Sequence, residues 1–172
     1  MRPVWPLLLF AAAMSMAVET RADLSLSSPA FGDGETIPTV YTCDGRDVSP
    51  PLQWRGVPRE ARTLALVVDD PDAPAGTWVH WVVYNIPPDT AGLPEDTASA
   101  DLPAGAREGV NSWGRTGYGG PCPPSGEHRY MHKLYALDKV LSDLGNPSKA
   151  ELEQALMGHL IERARLIGTY ER

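Results

Sequence analysis

The sequence has no cluster of positive charge, few cysteines and no long apolar run, and each shortage excludes a class of protein. Lys and Arg number 15 against 22 Asp and Glu, a net charge of −7 over 172 residues. With no basic stripe and no interleaved aromatics, nucleic acid and anionic membrane surfaces are poor partners for the surface as a whole. The two cysteines, Cys43 and Cys122, stand far apart with no close Cys or His spacing, which makes a poor zinc signature. The uncharged apolar stretch from Leu7 to Val18 falls short of the roughly 20 residues that a membrane span needs. Neither an HExxH helix nor a G-x-S-x-G elbow occurs, so two common hydrolase signatures are missing. No internal repeat and no long linker divides the chain.

What is there begins with a secretory layout. Arg2, the short apolar stretch and the small residues Thr20 and Ala22 match a leader with a cleavage site. The expectation is a leader over residues 1–22 and a single domain over residues 23–172, periplasmic or secreted, with no integral membrane segment after cleavage. Losing Arg2, Arg21 and Glu19 leaves 13 basic and 21 acidic residues, net −8, on 150 residues. That length supports one real core. In an oxidising compartment the simplest fate of Cys43 and Cys122 is one disulfide. Closing a loop of about 80 residues would contribute at most roughly 4–5 kcal/mol on the chain-entropy model.

The rest reads as mostly β with one clear helix. Residues 63–68 are apolar and β-prone, and residues 78–86 are apolar on both alternating faces, as in a central strand covered on two sides. Residues 129–137 make a third strand. Gln53 and Trp54, beside prolines, suggest a fourth nearer an edge. Ser148-Lys149-Ala150-Glu151 is a capping box that opens a helix, with Leu152, Ala155, Leu156, His159 and Leu160 on one face. Alternation of Ala164, Leu166, Gly168 and Tyr170 with charged residues predicts a closing strand. The long stretch from Pro87 to Gly120 shows no periodicity and reads as a functional or poorly ordered loop.

Two segments carry the chemistry. In DDPDAPAGTWVHWVVYN, residues 69–85, three carboxylates stand before an apolar strand that holds His80. By default Asp69 and Asp72 cap the turn, and His80 is a satisfied core histidine. In GYGGPCPPSGEHRYMH, residues 117–132, a Gly/Pro loop feeds a strand on which His128, Tyr130 and His132 share one face. Glycines there would let backbone N–H groups approach a ligand.

These segments together resemble the phosphatidylethanolamine-binding protein family, in its bacterial Raf-kinase-inhibitor-like branch. YTCDG at 41–45, SPPLQW at 49–54, ELEQAL at 151–156 and GTYER at 168–172 fit in the same order. The resemblance implies an antiparallel β-sandwich with few short helices and a small anion-binding pocket at one end. Carried over residue by residue, it implies ligand-binding roles for Asp70, Pro74, His80, Gly120, Pro124, His128 and Tyr130. Asp72, Trp78, Tyr118 and His132 are expected at the pocket edge. His132 departs from the family pattern, standing where relatives usually carry an aromatic ring.

The leading expectation is a non-catalytic protein that binds a small anion, a phosphate ester or a phospholipid head group, with no metal and no cofactor. Asp70 would accept a hydrogen bond from His80 or His128 and hold it toward the ligand. One alternative is an inhibitor of a protease or kinase type, with a protein partner held by surface loops such as 87–117. Another is a hydrolase whose metal is held by Asp70, His80, His128 and His132.

Overall fold

A computed structural model describes residues 23–172; the expected leader, residues 1–22, lies outside the described residues. Nine strands and one α-helix follow in chain order. They are β1 (Ser25–Ser27), β2 (Glu35–Thr36), β3 (Leu52–Arg55), β4 (Thr63–Asp70), β5 (Trp78–Ile86), β6 (Gly92–Leu93), β7 (Arg107–Glu108), β8 (Glu127–Leu137), α1 (Lys149–Leu156) and β9 (Leu160–Glu171). The protein is mainly β, as expected.

Two sheets form the layers. Six strands in the order β2-β9-β8-β4-β5-β7 make the large sheet, and β1-β3-β6 make the small one. All pairings are antiparallel except β2 with β9. Every residue of β4 is buried, because this strand separates two cores. Leu64, Leu66 and Val68 join Trp54, Trp81 and Leu134 between the sheets. Ala65 and Val67 join Val82, Tyr84, Leu152 and Leu156 beneath α1. A strand with apolar side chains on both faces must be covered on both, and here a sheet covers one and a helix the other.

Two elements depart in place or extent from the sequence expectation in ways that matter for the fold. Gln53 and Trp54 lie on β3, the middle strand of the small sheet rather than an edge. The flanking prolines stop the strand at four residues without removing its ladder donors; Trp54 N–H bonds Ala91 O at 3.0 Å. The helix ends at Leu156, short of His159 and Leu160. Gly158 adopts φ +80°, a left-handed conformation that turns the chain out of the helix and into β9. His159 consequently bonds Asp138 at the surface, at 2.9 Å, instead of entering the core. The capping box is present: Glu151 N–H donates to Ser148 Oγ, and Ser148 N–H donates to Glu151.

Cys43 and Cys122 are joined by a disulfide across 79 positions. The bridge ties the 41–45 segment to the 117–126 loop, where Cys43 N–H also bonds Pro121 O at 3.1 Å. The 87–120 stretch is more ordered than its composition suggests. Gly109 N–H and Ser112 N–H donate to Val82 O and Val79 O, so the segment runs along the edge of β5.

Candidate functional site

Successive residues of β4 face opposite cores, so Asp69 and Asp70 part company at its end. Asp69 is fully buried on the helix side and pairs with Lys133 at 2.7 Å and Lys149 at 2.6 Å. It anchors α1 to the sheet instead of capping a turn. Asp70 faces the other way, where its Oδ2 lies 2.7 Å from His128 Nδ1 and its Oδ1 accepts from Asp72 N–H at 2.8 Å.

His80 reaches the same place through an irregularity. Val68 and Asp69 of β4 pair with Trp81 and Val79 of β5, which leaves His80 as an extra residue opposite no partner. Such a bulge re-aims a side chain. It puts His80 on the same side as Trp81, which packs between the sheets. His80 Nδ1 then sits 2.6 Å from Gly119 O. Burial lowers the histidine's pKa, outweighing the Gly119 carbonyl and the more distant Asp70, Asp69 and Asp47, which favour the proton. The ring is held neutral.

Asp70, Pro74, Trp78, His80, Trp113, Pro124 and His128 line a common hollow of about 410 Å³, along with Ala73, Ala75, Cys122 and Pro123. Five of the seven residues expected to bind ligand are therefore brought together, with Trp78 from the expected edge. The walls are mostly proline, alanine and indole. The polar groups are concentrated in the aspartate and two histidines.

The remaining expected residues support this hollow from behind or stand apart from it. Tyr130 is buried with its ring edge-on to His80, centroids 5.2 Å apart, and its hydroxyl has no hydrogen-bond partner of ordinary geometry. Gly120 packs against the 41–47 segment: its N–H donates to Asp47 at 2.6 Å, and a Cβ there would meet Tyr41 O at 2.4 Å. Tyr118 donates to Tyr41 O at 3.0 Å and packs its ring against Trp81. Asp72 turns outward to a two-point pair with Arg129, at 2.7 and 2.8 Å. The Arg129 hydrogen bond holds the Asp72 carboxyl down at about 2.

His132 lies deeper along β8, sealed against Phe31 with its Nε2 unpartnered. Burial pushes its pKa down to about 4. Asp72, Tyr118 and His132 therefore lie outside the lining of the hollow; for His132 the reason is that β8 carries its inward face from the hollow into the core. The four ligands of the metal-hydrolase alternative do not converge either. Among the described residues, no cluster of three or more His, Cys, Asp or Glu is arranged to hold a metal.

Two of the backbone donors expected from the glycine loop are engaged within the protein. Gly119 N–H bonds His80 O, and Gly120 N–H bonds Asp47. One lining residue was missed altogether. Trp113, 43% exposed, packs edge-on against both His80 and Trp78, at 5.2 and 5.4 Å. Its segment lacks periodicity, so only the pairing of 109–112 along β5 reveals its place. A larger hollow of about 550 Å³ on the outer face of β8 and β9 includes Lys133, Arg163, Arg165 and Glu153. It contains none of the residues that the resemblance singles out.

The sequence model of the phosphatidylethanolamine-binding protein family matches residues 27–171. This chain belongs to that family. A UPF0098 protein of Methanothermobacter thermautotrophicus is 53% identical over 150 residues, covering 87% of this chain and 99% of the relative. A UPF0098 protein of Aquifex aeolicus is 45% identical, covering 88% and 90%.

Solved structures of other phosphatidylethanolamine-binding protein homologues share the fold. A homologue from Chlamydia trachomatis superposes with a TM-score of 0.82 at 44% identity, covering 87% of this chain and 98% of its own. YbcL of E. coli, described as a new member of the mammalian PEBP family, superposes equally well at 0.82 with 35% identity, covering 88% and 99%. Family membership accounts for the co-ordered motifs and the sandwich.

Proposed function

We propose that this family member is an exported, non-catalytic protein that binds a small anion, a phosphate ester or a phospholipid head group, in the hollow around Asp70, His80 and His128. The observation that carries this reading is the Asp70–His128 pair lining a mostly apolar cavity. A carboxylate behind an imidazole fixes its orientation, and a ring that carries both protons donates a charge-assisted bond to an oxyanion. The net charge of −7 opposes an approaching anion, but screening at physiological salt confines that effect to about 8 Å from each surface charge. Recognition then rests on short-range bonds within the walls.

Several features support binding over turnover. The cysteines are joined, and Ser112 Oγ accepts from Val79 N–H at 2.8 Å. Among the described residues that line the hollow none carries a hydroxyl, and the one sulfur, that of Cys122, is bridged. The inhibitory-loop alternative would have residues 87–117 act on their own, whereas this segment contributes Trp113 to the hollow. Export is supported by the disulfide, and no described helix is long and apolar enough to cross a membrane.

Titration calorimetry with phenyl phosphate tests the site. His128→Ala is expected to weaken binding about tenfold or more, since bonds to charged groups contribute roughly 1.5–3 kcal/mol. Unchanged affinity in that variant would remove the assignment. Amino-terminal sequencing of protein recovered from the periplasm or medium tests export, with Asp23 expected as the first residue.

A further inference from the structure

Helix α1 covers only part of one face of the large sheet. Leu152 and Leu156 sit over Ala65, Val67, Val82 and Tyr84 of β4 and β5. Residues directly opposite one another on paired strands share a face. The pairing of β4, β8 and β9 therefore carries this face onto Met131, Lys133, Tyr135, Arg163 and Arg165. Together with Glu153 of α1 they line the hollow of about 550 Å³, within the roughly 300–1,000 Å³ of small-molecule sites. It shares no lining residue with the hollow around Asp70 and His128.

The register sets like charges against each other there. Lys133 stands directly opposite Arg165, and Tyr135 opposite Arg163; like charges in that relation destabilise a sheet. The nearby acids do not relieve this. Glu162 points to the other face of β9, where it accepts from Leu24 N–H at 2.7 Å. Asp69 is shared between Lys133 and Lys149, and Glu153 lies 3.7 Å from Lys149. Four cations, Lys133, Lys149, Arg163 and Arg165, thus meet two carboxylates, Asp69 and Glu153, in a chain of net charge −7. Among the described residues, neither arginine side chain makes a hydrogen bond or ion pair, and the Tyr135 hydroxyl makes no hydrogen bond. Burial, with Glu153 and Asp69, pushes the Tyr135 pKa up to about 12 against the opposing charge of Arg163. Tyr135 is therefore a neutral donor.

We propose that this groove is a second binding site, for a small ligand that carries a diphosphate group. Each guanidinium is a planar fork that can hold two oxygens of one phosphoryl group. Residues two apart on a strand are about 7 Å from each other, so linked phosphoryl groups engage one fork each. Lys133 spends two of its hydrogens on Asp69 and keeps one to donate. With the Tyr135 hydroxyl, it adds donors from the floor. Met131 and the Tyr135 ring give an organic substituent an apolar surface to lie on. A lone sulfate or carboxylate fills one fork and leaves the other cation unneutralised. The site stands independently of the hollow around Asp70 and His128.

Calorimetry with sodium pyrophosphate in metal-free buffer tests this in two proteins. One is His128→Ala, which disables the other hollow; the second adds Arg163→Gln and Arg165→Gln, both at exposed positions. His128→Ala is expected to bind pyrophosphate, and the triple variant at least tenfold more weakly. Sulfate at the same ionic strength is expected to bind His128→Ala at least tenfold more weakly than pyrophosphate. Absence of pyrophosphate binding in His128→Ala, equal affinity in the two proteins, or equal affinity for sulfate would each overturn the proposal. None of these results bears on phenyl phosphate binding around Asp70 and His128, so the two sites fail separately. Nitrogen-15 NMR of the arginine Nε–H groups supplies a readout in the wild-type protein. The Arg163 and Arg165 signals are expected to shift when pyrophosphate is added, and unchanged signals would overturn the assignment.

Discussion

Asp69 and Asp70 are neighbours on one strand, both buried, yet they belong to different parts of the molecule. Asp69 is sealed between Lys133 and Lys149, and it fastens helix to sheet. Asp70 is backed by a neighbouring backbone N–H and holds His128 at an open hollow. The same contrast recurs on β8, where His128 reaches the hollow and His132 lies in the core without a partner for its Nε2. Buried charge by itself does not mark function. What separates the two aspartates is the partner: lysines that tie helix to sheet for Asp69, and a histidine that lines the hollow for Asp70.

The sharpest way to break this comparison is to remove the sealed member. Asp69→Asn leaves two lysine ammonium groups without their shared carboxylate, and breaking a buried pair costs about 3–5 kcal/mol. Urea denaturation should show a loss of about that size, while the folded fraction keeps its affinity for phenyl phosphate. A large loss of affinity with little loss of stability would reverse the roles assigned to the two residues.

The β8 half of the contrast is tested through pH. His132 has its folded pKa pushed down to about 4, against about 6.5 in an unfolded chain. Its contribution is fully present above pH 6.5 and is lost as pH falls toward 4, at about 1.4 kcal/mol per unit, because only the unfolded chain takes up the proton. His132→Phe should remove that part of the acid slope, making the variant relatively more stable by about 2 kcal/mol at pH 5 than at pH 7. His80 slopes the same way, so some acid sensitivity remains. Denaturation midpoints at the two pH values decide it, and an unaltered slope would mean that His132 is not held neutral.

Asp70→Asn comes next. It keeps the shape but removes the carboxylate that orients the His128 ring, and calorimetry should show phenyl phosphate binding about tenfold weaker. Its stability loss should be smaller than that of Asp69→Asn. Asp72 gives the smallest effect. Its pair with Arg129 is exposed on the arginine side, and such pairs contribute below about 1 kcal/mol. Asp72→Ala should leave denaturation midpoints nearly unchanged near neutral pH.

Much of the architecture was legible because it depends on local periodicity. An apolar, β-prone run marked β4 and a two-sided apolar run marked β5, alternation placed His128 and Tyr130 on one face, and the capping box opened α1. The helix end was misjudged because apolar spacing continued through His159 and Leu160 while Gly158 changed the backbone. His80 followed no alternation rule, since its direction depends on a bulge set by pairing with β4. Trp113 carried no local signal at all.

By itself the sequence determined which residues were available: a family's ordered motifs, two cysteines to bridge, and a carboxylate-rich turn before a histidine strand. Only the tertiary structure decided which carboxylate met lysines and which met histidine, and which ring nitrogens were left free. Those outcomes depend on strands more than 50 positions apart in the chain, such as the ones carrying Asp70 and His128. A side chain's protonation and direction follow from its neighbours in space, and local sequence pattern does not specify them.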